Sequence, residues 1–409
     1  MSRSRLKVAL VTHSINLGGG AATMAAYLYE SINRSSGYEA DMISLAMGSS
    51  DQLSRRLRNP STWSREPRIE RRMWREIPYV QVGGNWVEYE PCRYWPRPVL
   101  TNLLKGYDLI QVVGGTPPWL CPVLEARRPS LLWTASTLWA DRASRVMERT
   151  GAGRMVHRYL AWRAQHYEKL ALEQAGHVFA LSPYTVKAIQ QITPNVKPEL
   201  AICGVDTVHY QPAPARDKRN YILSVARFED ARKNVNLLLQ AYRQLVDQRP
   251  DAPDLYLVGD KPSMASRKRL AELNLQDRVH LAGPVDGRRL AELYAQAKFF
   301  VLSSDEEGLG IVLLEAMASG LPVISTRSGG PEVVIEDQVT GYLTPVREVE
   351  PLVAAMERLA GDPSLREAMG KLARRRVERM FSVEATQEIF LRKYDEVLGQ
   401  PRGVPVYGG

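Results

Sequence analysis

Short apolar runs alternate with longer helical stretches along most of the chain. The first run, Leu6–Thr12, ends in a glycine loop, and the alanine-rich stretch 21–32 that follows is a good helix former. The same pattern recurs at Leu109–Val113, Ser130–Thr134 and His177–Leu181. Strands that alternate with helices form a parallel sheet covered on both faces. The alternation therefore predicts an α/β fold class.

A second series of elements follows a proline-marked, charged stretch at 211–220, which is predicted to be a linker. Strands are predicted at Tyr221–Ala226, Asp254–Val258, Val279–Leu281, Phe299–Ser303 and Pro322–Ser325. Helices are predicted between them at 234–248, 264–273, 287–297 and 310–319. A chain of 409 residues is too long for one core of ordinary size. We therefore predict two Rossmann-like domains, over 1–210 and 211–381, with the ligand in a cleft at the carboxyl ends of the strands.

The excess positive charge lies in the N-terminal half. Residues 1–210 hold 26 Lys and Arg against 17 Asp and Glu, whereas residues 211–409 hold 28 of each. The resulting net charge of +9 indicates an anionic partner for the first half, or a general bias toward solubility.

The cysteines and apolar runs limit the cellular environments that we expect. Cys92, Cys121 and Cys203 have no short paired spacing, so neither a zinc site nor a disulfide framework is predicted and a reducing cytoplasm fits. The run Leu6–Thr12 resembles a first strand rather than a signal peptide. No window approaches the roughly 20 apolar residues that cross a bilayer. Any membrane contact is therefore expected to be peripheral.

Residues 54–98 form an insertion rich in Arg, Trp and Pro. Within it, Ile69, Met73 and Ile77 are predicted to share one face of a helix, with Trp74 alongside. Arginines 68, 71, 72 and 75 cover the rest of the surface. A basic helix with an apolar face can lie on an anionic bilayer, although such a helix more often packs on its own domain. Both interpretations stay open.

An acidic, glycine-bearing loop and an apolar helix are predicted at 303–325. The helix is expected to begin near Gly310 and to end before Gly320 and Pro322. The backbone amides of Leu309, Gly310 and Ile311 then point out of a helix N-terminus, which stabilises a phosphate without a charged side chain.

Two glutamates lie close to this predicted anion site. Glu315 falls among apolar residues, so we expect it to be at least partly buried, where it can accept hydrogen bonds from a ribose diol or simply complement the helix dipole. Glu307 precedes Gly308 in the loop and can contact a sugar there. The combination of both glutamates with the glycines and the apolar helix is far more specific than the spacing alone.

This combination resembles glycosyltransferase family four, a family of retaining enzymes with the GT-B fold, through a Glu-x7-Glu element at Glu307 and Glu315. Further similar stretches are Gly329-Gly-Pro-Glu-Val-Val334, Gly341-Tyr-Leu343, Ser224-Val-Ala-Arg227, Arg232-Lys233-Asn234 and Gly204-Val-Asp206 with Tyr210 and Pro212. The resemblance covers nearly the whole C-terminal half and scattered points of the N-terminal half. It implies two Rossmann-like domains that face each other across a deep cleft, with the acceptor on the first and the nucleotide-sugar donor on the second.

The resemblance also implies roles for basic residues and glycines. Arg227 and Lys233 would hold the donor diphosphate and stabilise it as a leaving group, and the spacing leaves open whether Arg232 takes the place of Lys233. Gly308 and the amides that follow it would bind the same diphosphate. The loop with Gly19 and Gly20 would approach the diphosphate from the first domain, because small residues let the backbone come close.

One departure from the family concerns a histidine that many relatives carry after the strand that ends at Thr134. This chain has none there, so Ser136, Thr137 or Asp141 is a candidate for its role on the acceptor side. His13 follows the first strand and is a further candidate, although a lone histidine at a strand end is more often structural.

The resemblance predicts a retaining glycosyltransferase of cell-surface polysaccharide or glycolipid synthesis. It would use a UDP- or GDP-sugar without a metal or other cofactor, and its acceptor would be a glycan, a glycolipid or a lipid-linked sugar. The enzyme would be cytoplasmic or peripheral on the inner membrane face, with an anionic membrane surface as a candidate partner. A terminal helix at 382–400 would cross back onto the first domain. A sugar phosphorylase, a sugar-nucleotide epimerase and a non-enzymatic protein that binds anionic polymers are the alternatives; no nucleic-acid motif is present.

Overall fold

A computed structural model of the chain describes residues 5–13, 15, 20–35, 37–48, 51–138, 165–214, 217, 219–261 and 263–399. The chain divides into two compact units. The first comprises Met1–Cys203 and Gln387–Gly409, and the second comprises Gly204–Thr386. Each is built around its own sheet.

The first unit contains an eight-stranded sheet. Its strands are β1 (Leu6–His13), β2 (Tyr38–Leu45), β3 (Ile69–Trp74), β4 (Ile77–Val82), β5 (Leu109–Gly114), β6 (Ser130–Thr134), β7 (His177–Ala180) and β8 (Glu199–Leu200). Their spatial order is β3-β4-β2-β1-β5-β6-β7-β8. All neighbouring pairs are parallel except β3 and β4, which are antiparallel.

Helices cover both faces of this sheet and create two apolar clusters. They include α1 (Gly20–Arg34), α2 (Glu90–Arg93), α3 (Pro98–Leu104) and α4 (Pro183–Ile192), and residues 165–174 are also helical. Helix α1 is amphipathic and buries Met24, Leu28 and Ile32 against one face of the sheet. A ten-residue 3-10 segment, Pro117–Ala126, covers the other face.

The second unit contains a six-stranded sheet whose neighbouring strands are all parallel. Its strands are β9 (Tyr221–Ala226), β10 (Asp254–Gly259), β11 (Val279–Gly283), β12 (Phe299–Leu302), β13 (Val323–Thr326) and β14 (Gly341–Thr344), in the order β11-β10-β9-β12-β13-β14. Its helices are α5 (Val235–Gln248), α6 (Met264–Glu272), α7 (Gly287–Gln296), α8 (Ile311–Ala318), α9 (Pro331–Val334), α10 (Val349–Gly361) and α11 (Pro363–Met380). The predicted α/β class of two Rossmann-like units is confirmed.

The last helix, α12 (Val383–Val397), begins in the second unit and continues from Gln387 in the first. Its Phe390 ring lies 4.9 Å from the Trp133 ring of β6. The Tyr394 hydroxyl donates to Gln111 Oε1 at 3.1 Å. Position 400 of the predicted helix lies outside the described residues.

The predicted amphipathic helix at 69–77 is wrong, because this stretch forms a β-hairpin of β3 and β4. Arg75 and Glu76 at its turn have φ values of 46° and 67°, which is the conformation of a two-residue hairpin turn that follows the twist of the strands. Pro78 would also interrupt a helix. Ile69 and Met73 still share a face, because positions four apart coincide under a period of two as well as under a helical period.

Both sheets have a point at which the strand order reverses. In the first unit β1 lies between β2 and β5, and in the second unit β9 lies between β10 and β12. Ligands of open parallel sheets bind outside the carboxyl ends of the strands at such switch points. A ligand is therefore expected at the loops that follow β1 and β5, or at those that follow β9 and β12.

Candidate functional site

Hydrogen bonds join the loop after β9 to the loop after β12. The Asp305 amide donates to the Arg232 carbonyl at 2.7 Å, and Asn234 Nδ2 donates to Asp305 Oδ1 at 2.8 Å. Ser303 Oγ donates to the Lys233 carbonyl at 3.0 Å. Each bond crosses the switch point of the second unit, so the side chains of the two loops are held in a fixed relation.

Lys233 and Glu307 meet at this junction. Lys233 Nζ donates to Glu307 Oε2 at 2.5 Å, and the two side chains are only 16% and 14% exposed. Ser304 Oγ donates to the same carboxylate oxygen at 3.3 Å. The fold thus brings together a predicted cation and a predicted carboxylate that lie 74 residues apart in sequence.

Arg232 faces a different partner. Its guanidinium donates to both carboxylate oxygens of Asp230, from Nε at 3.0 Å and from Nη2 at 2.8 Å. This hydrogen bonding lowers the pKa of Asp230 to about 2. Arg227 lies 3.5 Å from Asp230 and its side chain is 74% exposed, so it extends into solvent from the end of β9. Arg227 and Lys233 are therefore less constrained by Asp230 than Arg232 is.

The predicted helix N-terminus lies beside Glu307. Helix α8 begins at Ile311, and Gly310 precedes it in the left-handed conformation with φ 80° and no side-chain cap. A Cβ at Gly310 would lie 3.4 Å from Glu307 Cγ, whereas a Cβ at Gly308 would have no neighbour within 4 Å. Leu309, which lies in the same loop, is buried. The amide end of α8 therefore shares one small region with the Lys233–Glu307 pair.

The turn at Gly329 and Gly330 is hydrogen-bonded to the loop that carries Glu307. The Gly330 amide donates to the Glu307 carbonyl at 2.8 Å, and the Glu307 amide donates to the Ser328 carbonyl at 2.9 Å. A Cβ at Gly330 would lie 2.4 Å from Leu309 Cα, so only glycine fits there without a shift of backbone. This close approach explains the glycine at position 330 of the Gly329-Gly-Pro-Glu-Val-Val334 stretch.

Glu315 lies on α8 and is half-buried. Tyr294 Oη donates to its Oε2 at 2.9 Å, and Tyr210 also hydrogen-bonds to the carboxylate. Burial raises the pKa of Glu315 in spite of these two donors. Sequence reasoning missed Tyr294, whose only signal is a tyrosine on the apolar side of a predicted helix.

In the first unit, His13 occupies the switch point. The Gly115 amide, just after β5, donates to His13 Nε2 at 3.2 Å, and the ring stacks on Trp119 with a centroid separation of 4.4 Å. Burial, with a smaller contribution from the charge of Arg93, lowers the pKa of His13 to about 4. Because Nε2 accepts, a neutral ring carries its proton on Nδ1. Nδ1 is buried and has no hydrogen-bond partner among the described residues.

Of the other five candidates of the first unit, three lie within the described residues and two do not. Ser136 lies near His13, because its amide donates to the Gly115 carbonyl at 3.0 Å, and Thr137 is buried next to it. Gly20 is the first residue of α1. Gly19 and Asp141 lie outside the described residues.

A cavity of about 180 Å³ opens beside the loop after β9. Its apolar lining includes Phe228, Leu257 and Leu270, and Asp260 is among its charged residues. Arg227, Lys233 and Glu307 do not line it, so the cavity does not contain these three residues. Over the described ranges, no group of three or more His, Cys, Asp or Glu could hold a metal ion, and no helix is long and apolar enough to span a membrane.

Comparison with known proteins gives the family context of this site. The model of the family "Glycosyl transferases group 1" matches residues 206–376, which include Lys233, Glu307 and Glu315. The MMP alpha-(1->4)-mannosyltransferase of Mycolicibacterium hassiacum is 33% identical over 199 residues, 48% of this chain. The chain spans about half of that relative's length, 48%.

A longer match is found with a GDP-mannose-dependent monoacylated alpha-(1-6)-phosphatidylinositol monomannoside mannosyltransferase of Corynebacterium glutamicum. It is 33% identical over 324 residues, which are 74% of this chain and 83% of the relative. Among solved structures, the sucrose-phosphate synthase of Thermosynechococcus elongatus superposes with a TM-score of 0.67 at 24% identity, covering 97% of this chain and 100% of that one. This likeness supports the same fold of two Rossmann-like α/β domains.

Proposed function

The chain belongs to the group 1 glycosyl transferases, and on that basis we propose that it transfers a sugar from a nucleoside-diphosphate sugar to a glycan, glycolipid or lipid-linked acceptor. We further propose that it belongs to glycosyltransferase family four and retains the anomeric configuration of the donor. The observation that carries the proposal is the contact of Lys233 with Glu307 beside the N-terminus of α8, at the switch point of the second unit.

The positive charges of the second unit suit a diphosphate. Lys233 and the exposed guanidinium of Arg227 follow β9, and the N-terminus of α8 follows β12. All three are therefore at the carboxyl edge of one sheet. Cations and helix N-termini in fixed positions stabilise the charge that develops on a leaving diphosphate. We propose that this arrangement does the work that a metal ion does in other transferases, with Arg232 in a supporting role beside Asp230.

We propose that the two glutamates bind the two sugars of the donor, which are the transferred sugar and the ribose. Glu307 lies next to the lysine that would hold the phosphate, so its carboxylate is in reach of the transferred sugar. Glu315 already accepts from Tyr294 and Tyr210, but a carboxylate has about four acceptor sites. The remaining sites can accept from the two hydroxyls of a ribose. We propose Glu315 as the nucleoside ligand.

For the transfer itself, we propose a front-face reaction. The bond from the anomeric carbon to the diphosphate oxygen breaks, and the acceptor hydroxyl attacks from the same face. The leaving phosphate oxygen takes the proton of that hydroxyl. This chemistry needs no strong protein base, so Arg227 and Lys233 serve by stabilising the diphosphate while Glu307 orients the sugar.

We propose that the acceptor binds to the first unit. Residues 1–210 carry a net charge of +9, and the relative in Corynebacterium glutamicum is named for a phosphatidylinositol mannoside, which is an anionic lipid. We propose an anionic glycolipid or lipid-linked acceptor, with His13, Ser136, Thr137 and Asp141 on the acceptor side and Gly19 and Gly20 near the donor. We place the enzyme in the cytoplasm, at the inner face of the membrane.

A donor screen tests the proposed activity. Purified protein is incubated with UDP-, GDP- and ADP-sugars, and release of the nucleoside diphosphate is measured. Lys233→Met is expected to lower the rate by about 100-fold or more, as for the loss of one preorganised transition-state contact. Lys371→Met is the matched control, because Lys371 forms an exposed ion pair with Glu367 on α11. Release from none of the donors, or equal rates in both variants, would contradict the proposal.

A further inference from the structure

Residues 54–75, which we call the arginine-rich segment, form a strongly basic surface of the first unit. The segment contains eight arginines and two glutamates, a net charge of +6. It comprises a loop and the edge strand β3 of the eight-stranded sheet. No part of the proposed transfer chemistry uses it.

The loop of the segment is ordered by its own hydrogen bonds. The Arg68 amide donates to the Leu53 carbonyl at 3.0 Å, which closes the loop at its base. The Trp63 indole donates to the Arg56 carbonyl at 2.9 Å, and the Arg56 amide donates to Thr62 Oγ1 at 2.9 Å. The loop therefore holds its side chains in defined positions on the surface.

Large apolar side chains of the segment are exposed. Leu57 and Trp63 lie on the loop, and Ile69 and Met73 lie on β3; Trp63 is 51% exposed and Met73 is 65% exposed. Along β3, Ile69, Arg71 and Met73 share one face of the strand. Single exposed apolar residues are common, but four in one short segment mark an interaction surface.

Among the described residues, one arginine near these apolar side chains has an acidic partner and the others have none. Arg72 pairs with Glu70 at 2.6 Å. Within the part of the chain that the structure describes, five exposed arginines of the segment form no salt bridge: Arg58, Arg65, Arg68, Arg71 and Arg75. Their positive charge is therefore available to an external anion.

We propose that the arginine-rich segment docks the first unit onto an anionic lipid bilayer, with Trp63, Leu57, Ile69 and Met73 inserted among the headgroups and the unpaired arginines bound to lipid phosphates. A bilayer offers a negative surface and an apolar layer directly beneath it, which matches the mixture of side chains. A nucleic acid offers phosphates but no apolar layer for Ile69 or Met73. Pairing of β3 with β3 of a second copy would bring rows of arginines together, which repel each other.

Vesicle sedimentation with the full-length protein tests the proposal. Vesicles of phosphatidylcholine mixed with phosphatidylglycerol are compared with vesicles of phosphatidylcholine alone, at low and high salt. We expect binding only to the anionic vesicles, weakened by salt. The double variant Arg71→Gln/Arg75→Gln is expected to bind roughly 10- to 30-fold more weakly, since each arginine near an anionic surface contributes several-fold. The control Arg288→Gln/Arg375→Gln removes the same charge from exposed positions of the second unit and should bind like the natural protein.

A second pair of variants separates insertion from simple charge attraction. Trp63→Ser/Met73→Ser keeps every charge and is expected to bind roughly tenfold more weakly, because apolar burial in the headgroup region is lost. Unchanged binding of this variant, or equal losses in the control with Arg288 and Arg375, would overturn the proposal. Equally tight binding to duplex DNA, or a dimer in solution that the Trp63 and Met73 changes disrupt, would identify a different occupant. Circular dichroism and donor hydrolysis, measured without vesicles, check that each variant is folded, so failure here is distinct from failure of the proposed transferase activity.

Discussion

Lys233 Nζ and Glu307 Oε2 lie 2.5 Å apart on loops that follow two neighbouring strands of the second unit. Both side chains are largely buried, so their charges attract each other more strongly than they would at the surface. In the proposed reaction a diphosphate competes with Glu307 for Lys233. The pair therefore couples donor binding to the position of the carboxylate beside the transferred sugar.

This competition predicts opposite effects of Glu307→Gln on binding and on turnover. Loss of the carboxylate charge frees Lys233, so the affinity for UDP or GDP should rise by about three- to tenfold. Turnover should fall, because Glu307 no longer orients the sugar. Titration calorimetry and the donor assay measure the two effects, with Glu367→Gln as an exposed control. Weaker nucleotide binding by Glu307→Gln would contradict the competition.

Lys233 and Arg232 should contribute unequally to catalysis. Arg232 is 55% exposed and its guanidinium is occupied by Asp230, whereas Lys233 faces the Glu307 carboxylate. Lys233→Met should lower kcat/KM for the donor by about 100-fold or more, while Arg232→Met should lower it by about threefold or less. The reverse ranking would show that Arg232 is the residue that reaches the diphosphate.

Glu315→Gln should separate stability from function. Burial raises the pKa of Glu315, which means that the folded protein bears a cost for its charge. The neutral amide should therefore raise the melting temperature at neutral pH. If the carboxylate binds ribose, the same change should weaken nucleotide binding by about tenfold or more, through loss of charged hydrogen bonds. A lower melting temperature with unchanged nucleotide affinity would indicate a purely structural role beside Tyr294.

Because of His13, we expect the protein to be less stable toward unfolding in mild acid. Its pKa falls from 6.5 to about 4 on folding, so the unfolded chain binds a proton in this range and the folded chain does not. The free energy of unfolding should therefore decrease as the pH falls from 6.5 toward 4, by up to about 3 kcal/mol. Denaturant titrations at several pH values measure this loss. His13→Phe, which keeps a ring against Trp119, should lose less stability over the same range; an identical pH profile would contradict the buried neutral state.

Most of the fold could be predicted from sequence because its determinants are local. The bounds of β6 and β9 agree with the prediction, and the predicted bounds of α5 to α8 lie within one residue of the observed ones. Apolar periodicity sets these elements, and glycine or proline ends them. The position of the proposed site could be predicted for the same reason, because the loops after parallel strands meet at one edge of a sheet.

The rest depends on contacts between distant residues. The hairpin of β3 and β4 has the same Ile69 and Met73 spacing as a helix, and only its turn at Arg75 and Glu76 distinguishes the two. Two sets of hydrogen bonds depend on side-chain geometry, which the spacing of residues in the sequence does not predict. They are the bonds of Arg232 to Asp230 and those of the tyrosines to Glu315. These are the contacts that rank Lys233 above Arg232 in the proposed mechanism.

A crystal structure of the chain with UDP or GDP would test the proposed donor site most directly. We expect the diphosphate at the amide end of α8, within hydrogen-bond distance of Lys233 Nζ, with the ribose hydroxyls on Glu315. A nucleotide bound elsewhere, with the Lys233–Glu307 contact intact and Glu315 bonded only to its tyrosines, would contradict it.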